Sequence, residues 1–222
     1  MKRLADDVQE MVFEPAAAKA YRALERMIVT LELPPGSVAT EAALIERVGL
    51  GRTPVREALQ RLAWEGLIDI RPRAGLAIAP LHASDWLRVL DARRGLEIVL
   101  ARSAARFVRR EAAAEFQRAA LLMHNAVVAG DVVAFLEADK ALDEVMARAA
   151  DNPFAARMAA PLQTHSRRFW FRYKAETGLA ESAELHVALI RAIVDGDEDS
   201  AGLTAEHLMA LLRLHAEIAD GR

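Results

Sequence analysis

Cysteine is absent from the 222-residue sequence, which excludes both a disulfide framework and a metal site with thiolate ligands. Long uncharged apolar runs are absent as well, so we expect no membrane-spanning segment and no membrane partner. Residues 1–14 mix basic and acidic side chains without an apolar segment, which does not fit a secretion signal. These absences favour a protein of the reducing cytoplasm.

An excess of positive charge is also lacking, because the formal net charge is -3. Residues 15–80 carry nine Lys/Arg against seven Asp/Glu, and the rest of the chain carries 20 against 25. This asymmetry is too weak to indicate nucleic-acid binding by itself, so such a function must be argued from a specific site.

Aromatic residues make up only 5% of the sequence, whereas 53% of it is hydrophobic. Abundant alanine and leucine favour helices over sheets. Between residues 16 and 31, apolar side chains recur every three or four positions, which predicts a first helix that stops before Pro34. Thr40 is predicted to cap a short second helix, and Gly49 to end it.

A third helix follows after only a few residues, with Thr53 predicted as its N-cap and Pro54 as its first residue. Two short apolar runs, 67–70 and 76–79, then flank a turn that carries two arginines. This pattern predicts a β-hairpin. Two short helices joined by a tight turn and followed by a basic hairpin form a winged helix-turn-helix.

After Pro80 the pattern becomes almost wholly helical, and short connections favour an antiparallel bundle. The predicted helices are 84–109, 111–129, 131–150, 153–175, 180–195 and 198–218. We therefore expect a mainly α fold with three parts. These are an N-terminal tail at 1–14, a winged helix-turn-helix domain with a small β-hairpin at 15–80, and a C-terminal all-α helical bundle at 84–218.

In a winged helix-turn-helix, the N-terminal residues of the second helix of the pair lie in the major groove of DNA. The residues concerned here are Arg52, Thr53, Val55 and Arg56. A guanidinium can bind O6 and N7 of guanine together, and a hydroxyl group or a free helix amide suits a phosphate oxygen. On the hairpin, Arg71 and Arg73 are predicted to reach the DNA backbone or the minor groove.

This half of the sequence resembles the GntR family of bacterial regulators over about residues 16–80. The matching segments are 33–36, 51–62, 65–68 and 71–75. The resemblance implies that the two arginines and the threonine at the start of the third helix contact an operator, with Arg73 and Gly75 of the wing assisting. Gly51 stands where the family usually has a hydroxyl residue, so one phosphate contact is expected to be missing.

The helical region resembles the FCD effector domain of the FadR subgroup over about residues 84–218. The matching segments are 93–97, 139, 152–153, 184–186, 192–197 and 206–207. The resemblance implies a homodimer that binds a near-palindromic operator. It also implies a small effector that releases or alters the DNA complex, and arginines on the bundle helices favour an anionic one, such as a carboxylate metabolite. Because most relatives repress transcription, we expect a repressor.

Many FCD domains bind a divalent metal through an aspartate, a histidine four residues later and two further histidines on the last two helices. Asp139, His186 and His207 match this pattern, and Asp143 stands at the position of the first histidine. The resemblance therefore implies a zinc, nickel or manganese site with two carboxylate and two imidazole ligands. The alternative is that the aspartates are surface charges and the histidines are satisfied inside the bundle.

An arginine fork binds carboxylates well, so arginines on the bundle helices are candidate effector contacts. They are Arg93, Arg167, Arg168 and Arg172. For Arg93 the alternative is an ion pair with Glu97, four residues along the same helix.

Two other functions stay open at this point. One is a DNA-binding dimer that has no small-molecule effector, and the other is a metal-dependent hydrolase. The sequence has no His-Glu-x-x-His motif, which argues against the hydrolase, and we expect no enzymatic activity.

Overall fold

The computed structural model describes residues 14–71, 75–174 and 178–221. Within these ranges it contains nine helices and a three-stranded antiparallel sheet, which confirms the mainly α fold. The main boundary between two compact units lies between Ala79 and Pro80. Apart from Glu14, the predicted N-terminal tail lies outside the described residues.

The first unit contains three helices and three short strands. Its elements in chain order are α1 (Ala16–Val29), β1 (Val38–Ala39), α2 (Glu41–Val48), α3 (Arg52–Trp64), β2 (Ile68–Arg71) and β3 (Gly75–Ile78). The predicted hairpin is confirmed, because β2 and β3 pair in antiparallel fashion with Ile70 opposite Leu76. The sequence did not predict β1, since two residues are too short to show alternation, yet β1 pairs with β3 on its other side.

The ends of α2 agree with the prediction. The Thr40 hydroxyl accepts a hydrogen bond from the Ala43 amide at 3.2 Å, and Gly49 adopts a left-handed conformation at φ 70°. The predicted start of α3 is wrong by two residues. This helix begins at Arg52, and its N-cap is Gly51, which has an extended backbone and no side chain that could cap the first turn.

A single apolar core joins the helices and strands of the first unit. Its largest members include Leu24, Ile28, Leu44, Leu59, Leu62, Leu67 and Ile78. On α3 the buried positions follow one another at spacings of three, one and three residues, as expected when one face of a helix packs on a core. The opposite face of α3, which includes Arg52 and Arg56, is therefore exposed.

The second unit contains the six predicted helices, each within a few residues of its expected bounds. They are α4 (Ala83–Phe107), α5 (Arg110–Ala129), α6 (Val132–Ala149), α7 (Pro153–Tyr173), α8 (Gly178–Val194) and α9 (Glu198–Asp220). Helix α4 packs against α6, α7, α8 and α9, so it lies at the centre of the bundle. None of the described helices has the length and apolar character needed to cross a membrane.

Aromatic side chains fix how α7 sits on α4 and α6. Trp86 of α4 is fully buried and stacks on Phe169 of α7, with ring centroids 6.1 Å apart. Phe135 of α6 stacks on Trp170 of α7 at 5.4 Å. Each such pair contributes roughly 0.5–1.5 kcal/mol beyond the burial of its area. These contacts hold the polar residues of α7 against the centre of the bundle.

Candidate functional site

The first candidate site is the exposed N-terminal end of α3 in the first unit. The side chains of Arg52 and Arg56 are 75% and 59% exposed, and Thr53 is exposed beside them. Because Gly51 offers no side chain to the first turn, the leading amides of α3 keep their capacity to bind an anion. The arrangement suits contact with a phosphate and with base edges.

Glu41, the first residue of α2, contacts both arginines. Arg52 Nε donates to Oε1 of Glu41 at 3.1 Å, and Arg56 Nε lies 3.2 Å from Oε2 of the same carboxylate. Sequence reasoning did not include Glu41, since only the fold brings it beside α3. The carboxylate of Glu41 thus holds both guanidinium groups near the start of α3.

The prediction that Val55 contacts DNA is wrong, because this side chain is not accessible. Val55 is fully buried in the core of the first unit, because it lies on the face of α3 that packs against the other helices. Its role is to position the helix. The sequence motif could not separate this residue from its exposed neighbours, since all of them lie within one turn and a half.

The wing is described only in part. Arg71 is exposed and its Nε donates to Asp69 at 2.9 Å, while Arg73 lies outside the described residues. Gly75 has φ 93°, and a Cβ atom there would lie 2.8 Å from the carbonyl oxygen of Ala39. Gly75 is thus required for the close approach of β3 to β1, which is a structural reason for glycine at this position.

The second candidate site is a cluster of charged and polar side chains buried in the centre of the second unit. Its members are Arg93 and Glu97 on α4, Asp139 and Asp143 on α6, Gln163 and Arg167 on α7, and His186 on α8. Burying so many charges is costly unless each is paired. The cluster therefore depends on its internal hydrogen bonds.

Arg93 and Glu97 form one half of the buried cluster. Arg93 Nε donates to Oε1 of Glu97 at 2.7 Å, which confirms the ion pair considered from the sequence. The amide of Gln163 donates to the same oxygen at 2.9 Å. Gln163 was not predicted, because its position on α7 gives no hint of a partner on α4.

Arg167 joins the two aspartates in the other half of the cluster. Its Nη1 donates to Oδ2 of Asp143 at 2.6 Å and lies 3.3 Å from Oδ2 of Asp139. His186 Nε2 lies 2.9 Å from the other oxygen of Asp139, and its Nδ1 lies 2.6 Å from the backbone carbonyl of Ser182. Both ring nitrogens of His186 thus face acceptors.

Burial and neighbouring charges shift the pKa values of this half of the cluster. Burial lowers the pKa of His186, but the hydrogen bond and charge of Asp139 raise it above its ordinary value. Burial acts to raise the pKa of Asp139, yet His186 and Arg167 hold it well below its usual range. Burial, assisted by the charge of Asp139, raises the pKa of Asp143 to about 7. Asp139 therefore ionises more readily than Asp143.

A small cavity lies beside the cluster. It has a volume of about 20 Å³ and is lined by Arg93, Phe135, Leu136, Asp139, Ser166, Arg167, Trp170, Ser182, His186 and Leu212, which leaves room for about one water molecule. Among the described residues, Nε1 of buried Trp170 has no hydrogen-bond partner. An indole N–H usually has a hydrogen-bond acceptor when it is buried, so Trp170, which is one of the lining residues, carries a buried donor whose hydrogen-bonding capacity is unused.

The structure brings together three of the four predicted metal ligands. Asp139, Asp143 and His186 belong to the buried cluster, so the idea that the aspartates are surface charges is wrong. His207 is exposed on the surface of α9, and the expectation that it joins the others is wrong. The residues described here contain no group of three or more potential ligands that could hold a metal ion.

The donor set therefore does not fit a divalent metal. The carboxylates of Asp139 and Asp143 already share the guanidinium of Arg167, and His186 has both nitrogens engaged. A metal ligand must present a free lone pair. We derive no function from a metal at this site.

The four candidate effector arginines divide into two pairs. Arg93 and Arg167 line the cavity, whereas Arg168 and Arg172 are not among its lining residues. Arg168 is buried, and burial lowers its pKa to about 10. Arg172 is exposed, and its guanidinium carbon lies 5.3 Å from the ring centre of Tyr173.

Comparison with protein families matches each unit to a different family. Residues 16–78 match the family described as bacterial regulatory proteins, gntR family. Residues 88–211, more than half of the chain, match the FCD domain.

Two relatives and one solved structure show the extent of the similarity. The "Probable D-xylose utilization operon transcriptional repressor" of Paenarthrobacter nicotinovorans is 27% identical over 178 residues, which cover 80% of this chain and 78% of the relative. The HTH-type transcriptional repressor RspR of Escherichia coli is 28% identical over 142 residues, covering 64% and 62%. The structure of E. coli McbR/YncC has a TM-score of 0.76 at 18% identity, covering 89% of this chain and 95% of that one, and shares the fold. Both relatives are named as transcriptional repressors and not as enzymes, in agreement with the expectation of no enzymatic activity.

Proposed function

Because the chain belongs to the gntR family of bacterial regulatory proteins and carries an FCD domain, we propose that it represses transcription by binding a near-palindromic operator as a homodimer. A small carboxylate effector releases or alters this complex. The observation that carries the proposal is the pair of exposed arginines, Arg52 and Arg56, at the uncapped start of α3. Repression is supported by the names of the two relatives above, both of which are repressors.

A surface formed by α5 and α8 supports dimerisation of the second unit. The exposed apolar residues Leu121 and Val128 lie on α5. Next to them, a groove of about 350 Å³ is lined by His124, Val127, Ala180, Ala183, Glu184, Val187, Ala188 and Arg191. Exposed apolar surface of this kind is typical of protein–protein contacts. We call it the α5–α8 surface.

The charges of the α5–α8 surface suit a second copy of the chain. Glu184 and Arg191 are both exposed and stand two helical turns apart on α8, on either side of Val187 and Ala188. In an antiparallel pair of α8 helices related by a two-fold axis at that midpoint, each Glu184 faces Arg191 of the other copy. Two equivalent ion pairs would then flank an apolar centre.

Reversing one of these charges is expected to weaken the dimer. In Arg191→Glu, two pairs of like charges face each other across the axis, and we expect the dissociation constant to rise at least about tenfold. The double variant Glu184→Arg with Arg191→Glu restores complementary charges and should restore the dimer. Analytical ultracentrifugation measures both, with Arg157→Glu at an exposed position of α7 as the control reversal. A monomeric wild type, or equal effects of Arg191→Glu and Arg157→Glu, would rule this interface out.

The cavity in the bundle supports an anionic effector. Its lining residues include Arg93, Arg167 and Trp170, and the indole N–H of Trp170 has no hydrogen-bond partner. A carboxylate that accepts from Trp170 and competes with Asp143 for Arg167 satisfies these donors. Since a drug-sized ligand needs roughly 300 Å³ or more, such a molecule must stabilise an opened arrangement of the bundle. An effector shifts the population of conformations only if it binds one conformation more tightly than the other. Tighter binding to the opened arrangement meets this condition.

A DNA-binding dimer without an effector is the second candidate. The observation that favours it is the small volume of the cavity, about 20 Å³, together with the internal pairing of Arg93 and Arg167. In that case the buried cluster serves only to hold the helices of the bundle in register.

A screen of carboxylates separates the two candidates. Sugar acids, keto acids, hydroxy acids and amino acids are added to the full chain, and melting temperature and operator affinity are measured together. We expect at least one compound to raise the melting temperature by several degrees, since saturation at about 100 Kd stabilises by about 2.7 kcal/mol, and to change operator affinity.

The test variant is Trp170→Phe, which removes the N–H donor and keeps an aromatic ring. We expect it to bind the effector more weakly than the wild type does. The matched control is Arg172→Ala, which we expect to bind the effector as the wild type does. If no carboxylate changes the melting temperature, or if a bound carboxylate leaves operator affinity unchanged, the candidate without an effector is correct.

A further inference from the structure

We infer that the guanidinium group of Arg167 is the resident cation of the buried cluster, and that it takes the position between Asp139 and Asp143 where a divalent metal ion would otherwise bind. The second unit then folds and functions without a metal. This inference does not depend on the proposed effector or on the proposed dimer.

The geometry around Arg167 is that of a cation shared by two carboxylates. A single nitrogen, Nη1, contacts Oδ2 of both aspartates, at 2.6 Å from Asp143 and 3.3 Å from Asp139. The two aspartates are four residues apart on α6, so their side chains leave the helix on the same face. Their carboxylates thus converge on one point, and that point is filled by a nitrogen of Arg167.

The imidazole of His186 is arranged as a donor and not as a metal ligand. Its Nε2 faces Oδ1 of Asp139 at 2.9 Å, and its Nδ1 faces the Ser182 carbonyl at 2.6 Å. A metal would need one of these nitrogens free of its proton and turned away from its acceptor. His186 therefore acts as a hydrogen-bond partner of Asp139.

The guanidinium groups of the cluster face its carboxylates directly. Arg93 contacts Glu97, and Arg167 contacts both Asp139 and Asp143. A divalent ion between the aspartates would have to displace Arg167, which is itself buried. The displaced guanidinium would then be left without its carboxylates in a medium that does not solvate charge. The resident cation therefore excludes the ion.

Regulation differs between a cluster held by Arg167 and a cluster held by a metal ion. A guanidinium keeps its charge at any pH at which the protein is folded, and it is covalently part of the chain. The cluster therefore does not respond to the supply of metal in the cell or to chelators. Metal availability cannot act as a signal through this site.

The first arm of the test uses the wild-type full chain. The protein is purified with chelator and dialysed, and zinc, nickel and manganese are then added one at a time. We expect no stoichiometric metal by inductively coupled plasma mass spectrometry, and the same melting temperature with metal, without metal and with EDTA. Stoichiometric metal bound at the cluster, with a higher melting temperature, would overturn the inference.

The second arm replaces the resident cation. Arg167→Met leaves two buried carboxylates without their cation, and we expect the melting temperature to fall by roughly 6–20 °C. Zinc or manganese should restore a large part of this loss, because Asp139 and Asp143 can then receive a metal ion. Arg167→Lys keeps a positive charge, so we expect it to show no metal response. Arg157→Met removes an exposed arginine of the same helix and is the control for the substitution itself.

Each outcome of the second arm is decisive. A folded Arg167→Met variant that metal does not stabilise would show that Arg167 does not occupy a cation-binding position. A metal response equal in Arg167→Met and Arg157→Met would show the same. If Arg167→Met does not fold, Arg167→Lys and the wild-type titration decide the question, since metal binding by either contradicts the inference.

Discussion

Replacing Arg52 or Arg56 by alanine is expected to weaken binding to the operator roughly tenfold to a hundredfold for each arginine. A bidentate contact from arginine to guanine is worth about 1–3 kcal/mol, and about 1.4 kcal/mol corresponds to a factor of ten in affinity. Both side chains are exposed at the start of α3, so their removal leaves the core of the first unit intact. The loss therefore reports on DNA contact and not on folding.

The measurement requires an operator, which selection from random duplex DNA with the wild-type chain supplies. Fluorescence anisotropy at several salt concentrations then gives the affinity and its salt dependence for each variant. Arg22→Ala is the matched control, because Arg22 is exposed on α1, where it pairs with Glu14, and its loss changes the net charge equally. If Arg52→Ala and Arg56→Ala bind the selected operator as tightly as Arg22→Ala does, the recognition surface lies elsewhere.

Replacing Glu97 by alanine is expected to cost the second unit about 3–5 kcal/mol of stability, because it leaves a buried charge without its partner. The charge is that of Arg93, whose Nε lies 2.7 Å from Glu97, and Gln163 loses its acceptor in the same step. For a chain of this length, such a loss lowers the melting temperature by roughly 6–20 °C.

An exposed ion pair on the same helix is the control for this prediction. Asp91 of α4 lies 2.6 Å from Arg213 of α9, and both side chains are well exposed. Exposed pairs contribute little because water screens them, so Asp91→Ala should barely change the melting temperature. The double variant Arg93→Met with Glu97→Leu removes both buried charges and should recover most of the loss. Equal melting temperatures for Glu97→Ala and Asp91→Ala would show that burial does not make the Arg93–Glu97 pair important.

Most of the fold could be predicted from local signals in the sequence. Helix bounds in the second unit follow from apolar spacing and from breaks such as Gly130 and Asn152-Pro153, and these signals act within a few residues. The cap at Thr40 is equally local. The start of α3 was misplaced because Thr53 followed by Pro54 resembles a cap, whereas the extended backbone of Gly51 in fact begins the helix.

The candidate sites could be predicted only where a motif carries them. Arg52 and Arg56 were found because they belong to a recognisable run, but Val55 in the same run proved to be core. In the second unit, the aspartate spacing on α6 correctly placed Asp139 and Asp143 together. The partner on α7, Arg167, could not be identified as such, because the rotation of one helix against another depends on packing between residues far apart in the sequence.

The sequence by itself determined that this protein is a transcriptional regulator with a winged helix-turn-helix domain and a helical second domain. That information is local, since motif residues and apolar periodicity lie next to one another along the chain. Only the tertiary structure decided where the polar residues of the bundle lie and which partners they have. Side chains from α4, α6, α7 and α8 meet at one buried point, where water is excluded and every charge must find a partner. There Arg167 proved to be the partner of both aspartates, while His207 proved to lie on the surface.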